Sequence, residues 1–464
     1  MKQAASRDAA VVTPWYPTRE LPFRGSFVQA MVDATAPGCD SLVVYHCDPW
    51  VAAMDAATTE AVEAANARLM PGTAHRVPTV GGAELVHFPV TTPRGQDYGA
   101  QARNHERQLR NLLGGKPIDA PVVHAHVGLP SGWAALRNAR PDARVFVTEH
   151  ASFLERVFQD PEARELYDEL LGGVTGFFAV GDKVTEVLGR TFPHHADKIL
   201  RIPNPISFDQ PRPEPVTALN KWLYLGGMVE LKGVNWLVEA FAQCHAEDPS
   251  LTLTMVGEGP LRRPLTERVA ELGLSDAVKL PGSIPHEEAL GLMREHDLLV
   301  HPSRYETFGM TIVEGIAAGM PVLVTRCGGP ERTLAGIEDA AGELIDVEEN
   351  AESISDGFRR LRDRFAGGGL DLERARARLS EQYGYEAVAR AHYRLWFPDA
   401  EDTENAEDTG DAAAEAGPGD TAAPGPGGAA AGSGGAAAAG SAGTGTASAG
   451  TDASAGSPDS PDSP

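Results

Sequence analysis

Residues 304–322 read RYETFGMTIVEGIAAGMPV, and this segment is the most informative one in the chain. An apolar run at residues 298–301 precedes it, and a second apolar run at residues 321–324 follows it. Between them, residues 308–318 have the apolar spacing of a helix with a glycine near its start. A strand, a turn, a helix and a further strand form the repeating unit of a parallel sheet. In this unit, ligands bind where the strand ends and the helix begins.

The start of this predicted helix is suited to an anion. The first amides of a helix have no partner within the helix, and they favour a phosphate group, here most naturally a diphosphate. A glycine at this point lets a ligand approach the backbone closely. The amides expected to face the ligand are those of Phe308, Gly309, Met310 and Thr311.

Glu306 and Glu314 bracket the helix start, and we expect both to accept hydrogen bonds from sugar hydroxyls. Taken alone, two glutamates at this spacing are more often a carboxylate favoured by the helix dipole and a solvated helix residue. The whole block, however, resembles the donor-binding motif of family 4 glycosyltransferases, which have the GT-B fold. That motif has a Pro-Ser pair, a Glu, Phe-Gly, a second Glu eight positions after the first, small residues, and Gly-Val-Pro-Val. The matching residues are Pro302-Ser303, Glu306, Phe308-Gly309, Glu314 and 317–322.

Composition limits the remaining possibilities. The 464 residues are 42% hydrophobic, enough for two cores, and they contain no apolar run long enough for a membrane span. The formal net charge is −25, of which eleven negative charges lie in residues 401–464, so the first 400 residues carry −14. Such a charge argues against nucleic-acid binding. Four scattered cysteines and the lack of a signal-peptide pattern predict a reduced, cytoplasmic protein.

Apolar runs alternate with helical patterns along residues 9–397. They predict strands at 11–13, 41–45, 84–88, 121–125, 144–148 and 177–180, and then at 222–225, 251–256, 277–280, 298–301, 322–325 and 343–346. The fold class predicted is α/β, with two doubly wound, Rossmann-like domains of the GT-B fold facing a central cleft. The domains are placed at 1–205, on the acceptor side, and at 206–382, on the nucleotide-sugar side. The resemblance implies that a last helix within 383–400 returns to the first domain. Residues 401–464 are predicted to be a disordered acidic tail.

The second domain contains further donor-binding candidates. Gly226 and Gly227 end a predicted strand, and Lys232 follows before a helix, which is typical of a phosphate site. The family has an arginine where this chain has Gly227, which puts phosphate affinity in question. The resemblance also places Gly257 and Ile284 beside the nucleotide. A solvated lysine at a helix start is the alternative reading of Lys232.

In the first domain the resemblance places Gly25 under the donor diphosphate and His126 near the reacting sugar. His150 is a possible acceptor-side residue. For both histidines, a hydrogen-bonded role in the core is the alternative. Neither is predicted to bind a metal.

The prediction is a retaining, metal-independent glycosyltransferase in which Glu306, Lys232 and His126 serve transfer from a nucleotide diphosphate sugar, most simply UDP-linked. The sugar is a co-substrate, and no cofactor is expected. The acceptor is a hydroxyl compound: a saccharide, a small polar aglycone or a lipid-linked acceptor. Peripheral contact with the inner face of the membrane stays open, because Phe153, Leu154, Val157 and Phe158 could form an exposed stripe instead of core. The alternatives are a GT-B nucleotide-sugar epimerase and a non-catalytic nucleotide-sugar-binding or scaffold subunit.

Overall fold

This computed structural model describes residues 6–19, 21–22, 24–53, 55–69, 76–151 and 153–398. The predicted acidic tail, residues 401–464, lies outside these residues. Among the described helices, none combines the length and the apolar character needed to cross a bilayer.

The first half of the chain builds an eight-stranded sheet with helices on both faces. Its strand order is β3-β4-β2-β1-β5-β6-β7-β8, and all neighbours are parallel except β3 and β4. Its elements are β1 (Asp8–Thr13), α1 (Ser26–Thr35), β2 (Ser41–Ala52), α2 (Ala56–Leu69), β3 (Arg76–Pro78), β4 (Glu84–Pro93), α3 (Tyr98–Leu112), β5 (Val122–His126), α4 (Trp133–Asn138), β6 (Arg144–Glu149), α5 (Leu154–Val157), α6 (Pro161–Gly173), β7 (Gly176–Ala179), α7 (Asp182–Thr191) and β8 (Ile199–Arg201).

The second half builds a six-stranded, fully parallel sheet of order β11-β10-β9-β12-β13-β14. Its elements are β9 (Lys221–Leu225), α8 (Val234–Glu247), β10 (Thr252–Val256), α9 (Arg262–Glu271), β11 (Val278–Gly282), α10 (His286–Glu295), β12 (Leu298–His301), α11 (Met310–Ala317), β13 (Val322–Thr325), α12 (Gly329–Thr333), α13 (Glu338–Ala341), β14 (Gly342–Ile345), α14 (Ala351–Ala366), α15 (Leu372–Tyr383) and α16 (Tyr385–Trp396).

All twelve predicted strands overlap observed strands, which confirms the predicted fold class of two doubly wound parallel sheets. Two further strands, β3 and β8, have three residues each and were not predicted. Such short segments contain too few residues for a periodic pattern. The last residue of β8 is Arg201, four residues before the predicted domain boundary at residue 205.

Each sheet is covered by apolar clusters on both faces. One face of the first sheet is completed by α16, whose Val388 and Trp396 are each 1% exposed within the same cluster as Val28 of α1. The Tyr393 hydroxyl of α16 also donates to the Thr35 carbonyl of α1, at 2.7 Å. The last helix therefore packs on the first domain.

The segment considered for membrane contact is mostly part of the core. Leu154 and Val157 of α5 are buried, and Phe153 and Phe158 are half-buried against the same apolar cluster.

Candidate active site

The central strands of both sheets end at one cleft. In the first sheet, the strand order changes direction between the neighbouring strands β1 and β5. In the second sheet, it changes direction between β9 and β12. Ligand crevices of open α/β sheets form at such points. The two domains touch here, since a Cβ atom on Gly181 would lie 2.2 Å from the carbonyl oxygen of Thr307. Between the domains lies a cavity of about 270 Å³ with wall residues from both, including Ser26, His286 and Glu314.

Glu306, in the loop after β12, lies at the centre of a hydrogen-bonded group. Its Oε1 accepts from Lys232 Nζ at 2.6 Å, from His301 Nε2 at 2.6 Å and from Ser303 Oγ at 2.7 Å. Burial raises the pKa of Glu306, but the charges and hydrogen bonds of Lys232 and His301 outweigh burial and hold this pKa well below its usual range. Glu306 is therefore ionised. The structure brings these two predicted site residues into direct contact, although 74 residues separate them in the chain.

The amino end of α11 opens beside this group. Gly309 caps the helix with φ 84°, in the left-handed region that a residue with a side chain rarely adopts. The hydrogen-bond ladder begins with the amides of Ile312 and Val313, which both donate to the Gly309 carbonyl. The amides of Met310 and Thr311 precede that ladder, and so they are available to an anion.

The predicted start of this helix at Phe308 was two residues too early. Phe308 lies in the loop, is 4% exposed, and packs its ring 5.2 Å from that of Tyr383. An apolar side chain that packs from a loop extends a helical pattern beyond the helix itself, and this explains the error.

Glu314 lies in α11 with its side chain 10% exposed and accepts a hydrogen bond from His286 Nε2 at 2.8 Å. Burial lowers the pKa of His286, but the charge of Glu314 and the hydrogen bond to it outweigh burial, so the net pKa of His286 is raised. Both side chains line the cavity between the domains. Ile284, predicted beside the nucleotide, is half-buried against the apolar cluster of the second sheet. His286 was not among the predicted site residues, although it follows Ile284 by two positions.

Of the predicted donor-site glycines in the second domain, Gly226 and Gly257 lie in close contact with each other, and Gly227 does not. Gly226 donates to the Val256 carbonyl, and a Cβ atom on Gly257 would lie 1.9 Å from the Gly226 carbonyl oxygen. Around Gly227 the space is open, since the nearest heavy atom to a Cβ would be 3.9 Å away. A Cβ atom therefore fits at position 227 without a clash.

The predicted histidines of the first domain form a buried column at the end of β5. His126 Nδ1 lies 2.8 Å from His150 Nε2, and the rings of His124 and His126 stack at 5.0 Å. Burial, together with the neighbouring imidazoles, lowers the pKa of His126 well below its usual value, so this ring is neutral. The next residue, Val127, has φ 64°, and its amide is held by the Thr148 carbonyl. A β-branched residue in that region is strained, and such strain concentrates at functional sites.

The buried carboxylate of Glu149 holds the backbone beside these histidines. Glu149 accepts hydrogen bonds from the amides of Gly128 at 2.8 Å, His150 at 2.9 Å and Ala151 at 2.8 Å, and from the Tyr167 hydroxyl. It therefore fixes the loops after β5 and β6 relative to each other. This role of Glu149 could not be predicted from sequence, because its hydrogen-bond donors come from three separate segments.

Gly25 caps α1 with φ 76°, and a Cβ atom there would lie 2.5 Å from the Trp15 carbonyl carbon. The loop after β1 thus folds back onto its own start. Gly25 lies directly before Ser26, which lines the cavity between the domains.

Beside this loop lies a polar group that sequence reasoning missed, which we call the Asp48 cluster. Asp48 lies 3.6 Å from Arg24 Nη1 and 3.4 Å from His87 Nε2, and accepts from Trp50 Nε1 at 3.0 Å. His46, 1% exposed, stacks on His87 at 4.7 Å, and neither of its ring nitrogens makes a hydrogen bond of standard geometry. Buried polar atoms of this kind usually have partners, so the cluster is a candidate for contact with a bound molecule.

The sequence of each half of the chain matches a family of glycosyltransferases. Residues 60–210 match the model described as Glycosyltransferase Family 4, and residues 208–364 match the model described as Glycosyl transferases group 1. Glycogen synthase of Mycobacterium tuberculosis is 29% identical over 184 residues, which cover 39% of this chain and 44% of that protein. The chain thus matches less than half the length of this curated relative.

Two solved structures resemble nearly the whole described chain. Sucrose-phosphate synthase from Thermosynechococcus elongatus is 19% identical with a TM-score of 0.64, covering 86% of this chain and 100% of that one. Anabaena HepE in complex with UDP-glucose is 16% identical with a TM-score of 0.57, covering 86% and 99%.

Two facing doubly wound domains, with a last helix returning to the first, define the GT-B architecture. Within that architecture, the two matching family models cover one domain each. The chain belongs to the family 4 GT-B glycosyltransferases.

Proposed function

We propose that this protein is a retaining glycosyltransferase that moves a hexose-type sugar from a UDP-sugar to a hydroxyl group of an acceptor. The observation that supports this most is the ionised Glu306 paired with Lys232 beside the free amides of α11. This arrangement places a cation and helix amides where a diphosphate needs them, and a carboxylate where a sugar can donate hydroxyls.

In the proposed reaction, the bond between sugar C1 and the diphosphate oxygen breaks, and its electron pair stays with the diphosphate. Lys232 and the amides of Met310 and Thr311 stabilise that developing charge. The acceptor oxygen bonds to C1 on the same face, and the acceptor proton passes to an oxygen of the leaving phosphate. Same-face attack retains the configuration without a nucleophilic side chain.

The remaining residues position the two substrates. Glu306 accepts hydrogen bonds from the donor sugar, and Lys232 moves from Glu306 towards the diphosphate as the donor enters. Glu314 accepts from the ribose, with His286 holding its carboxylate. His126, being neutral, can donate to or accept from a sugar hydroxyl near C1.

The proposal of UDP as the nucleotide is supported by the fold neighbour HepE, which was solved with UDP-glucose. The proposal that no divalent metal is needed has a chemical basis. A lysine and helix amides neutralise a diphosphate directly, whereas a metal-dependent site requires carboxylate ligands beside the phosphates.

The test is turnover of UDP- and GDP-sugars by the full-length protein, measured first as slow hydrolysis without an acceptor and then with acceptor pools. Glu306→Ala and Lys232→Ala should each reduce sugar release by roughly 30- to 1000-fold, because each removes a charged partner of the transition state. Lys221→Ala, an exposed lysine at the opposite end of β9, is the matched control and should retain full activity. Wild-type turnover in both site variants would rule out this assignment.

A second candidate is a non-catalytic nucleotide-sugar-binding subunit, favoured by Gly227 where the family has an arginine. The same hydrolysis assay separates the two. A protein that binds UDP tightly and releases sugar from none of the donors tested would have this second function.

A further inference from the structure

Three side chains of types that can bind a metal lie together away from the cleft. Asp168 is on α6, and His194 and His195 are on the short 3₁₀ helix Pro193–Lys198 that precedes β8. His194 Nε2 lies 2.7 Å from Asp168 Oδ1, and His195 Nε2 lies 3.3 Å from the same oxygen. The three candidate ligand atoms lie within 4.8 Å of one another. Among the residues that the structure describes, no other such group of three histidine, cysteine or acidic side chains converges this closely.

Two observations point to an ion rather than to a simple ion pair. His195 Nε2 is buried and makes no hydrogen bond, although Asp168 is close to it. The side chain of His195 is only 15% exposed, so water reaches this nitrogen poorly. In this arrangement Asp168 is hydrogen-bonded to His194 while His195 Nε2 has no partner, whereas an ion between the three would bond to all of them.

We propose that Asp168, His194 and His195 form a structural zinc site, with water in the fourth position. Tetrahedral zinc bonds of 2.0–2.2 Å place neighbouring ligand atoms about 3.4 Å apart. The two separations from Asp168, 2.7 and 3.3 Å, differ from this value by less than about 1 Å, and the two histidine nitrogens lie within 4.8 Å of each other. Imidazole nitrogen suits zinc better than magnesium or calcium, which prefer oxygen ligands.

The backbone around the site is already fixed. Lys198 Nζ donates to the carbonyls of Leu171 at 2.9 Å, Gly172 at 2.6 Å and Val174 at 3.1 Å, and so joins the end of the 3₁₀ helix to the end of α6. Because both ligand-bearing segments are held without the ion, binding requires little reorganisation. The site precedes β8 and so lies at the amino edge of the sheet, opposite the cleft. Zinc would therefore connect two elements and would not touch a sugar donor.

The test is calorimetric titration of the chelator-treated, full-length protein with zinc chloride. We expect one zinc per chain with a micromolar or lower dissociation constant. His194→Ala, His195→Ala and Asp168→Asn should each weaken binding by at least about tenfold. Glu169→Gln is the matched control, because this neighbouring carboxylate binds Trp133 and Arg137 instead, and it should bind zinc as the wild type does.

Zinc should also raise the unfolding temperature of the wild type and of Glu169→Gln, but not that of Asp168→Asn, with far-UV circular dichroism confirming that each variant is folded. Absence of wild-type binding at about 100 µM zinc would overturn the proposal. So would stoichiometric binding that persists unchanged in all three ligand variants. Neither readout depends on glycosyl transfer.

Discussion

The contact between Lys232 and Glu306 predicts that their substitutions are strongly non-additive in stability. Lys232→Met removes the cation and keeps most of the apolar stem, but it leaves an ionised Glu306 whose side chain is only 12% exposed. Removing one partner of a fully buried pair costs about 3–5 kcal/mol. His301 and Ser303 still donate to Glu306, and Lys232 is 23% exposed, so we expect about 2 kcal/mol here.

Glu306→Gln should cost less, about 1 kcal/mol, because the remaining Lys232 can be hydrated through its exposed part. The double variant contains no unpaired charge at either position. Its cost should also be about 1 kcal/mol, roughly 2 kcal/mol less than the sum of the single variants.

The assay is urea unfolding of the donor-free, full-length protein at 25 °C, with the denaturant slopes compared between variants. Lys221→Met, at an exposed position, should change stability by less than about 0.5 kcal/mol. Additivity of the two single variants within about 0.5 kcal/mol would refute the pairing described here.

Three further predictions concern the cleft. Gly227→Arg should tighten UDP binding by roughly tenfold in a calorimetric titration, because the space around position 227 is open and the arginine would add a cation near the phosphates. Weaker UDP binding by this variant would place position 227 away from the phosphates. His286→Ala should weaken UDP binding by roughly tenfold, because the hydrogen bond that holds Glu314 is lost, and it should leave the binding of inorganic diphosphate unchanged. Equal losses of affinity for both ligands would contradict a role of His286 and Glu314 in binding the nucleoside. UDP should raise the unfolding temperature in the presence of a chelator, measured in Asp168→Asn so that the proposed zinc site does not contribute; a shift that requires magnesium or manganese would contradict a metal-free donor site.

Most of the fold and part of the site could be predicted from the sequence, because these features depend on residues that are close together in the chain. The residues around Glu306, Gly309 and Glu314 lie within one strand–turn–helix unit, so their spacing along the chain fixes their spacing in space. Pairings across the fold could not be predicted in this way. His286 meets Glu314 from 28 residues away, and Glu149 gathers donors from separate loops.

The Asp48 cluster was missed for a related reason. The histidines and the carboxylate within β2 and β4 have no motif of their own, and the parallel pairing of those strands brings them together. Long-range pairing of this kind is a property of the sheet and leaves no local signature.

The position of α16 has a consequence for how the protein is made. The first domain lacks one layer of its core until Val388 and Trp396 arrive, roughly 190 residues after β8 has left the ribosome. At about 5–20 residues per second, the apolar face of α1 stays uncovered for roughly 10–40 s during synthesis. Residues 1–205 expressed alone should therefore expose apolar surface and aggregate, and a synthesis-coupled chaperone has a defined interval in which to protect that face.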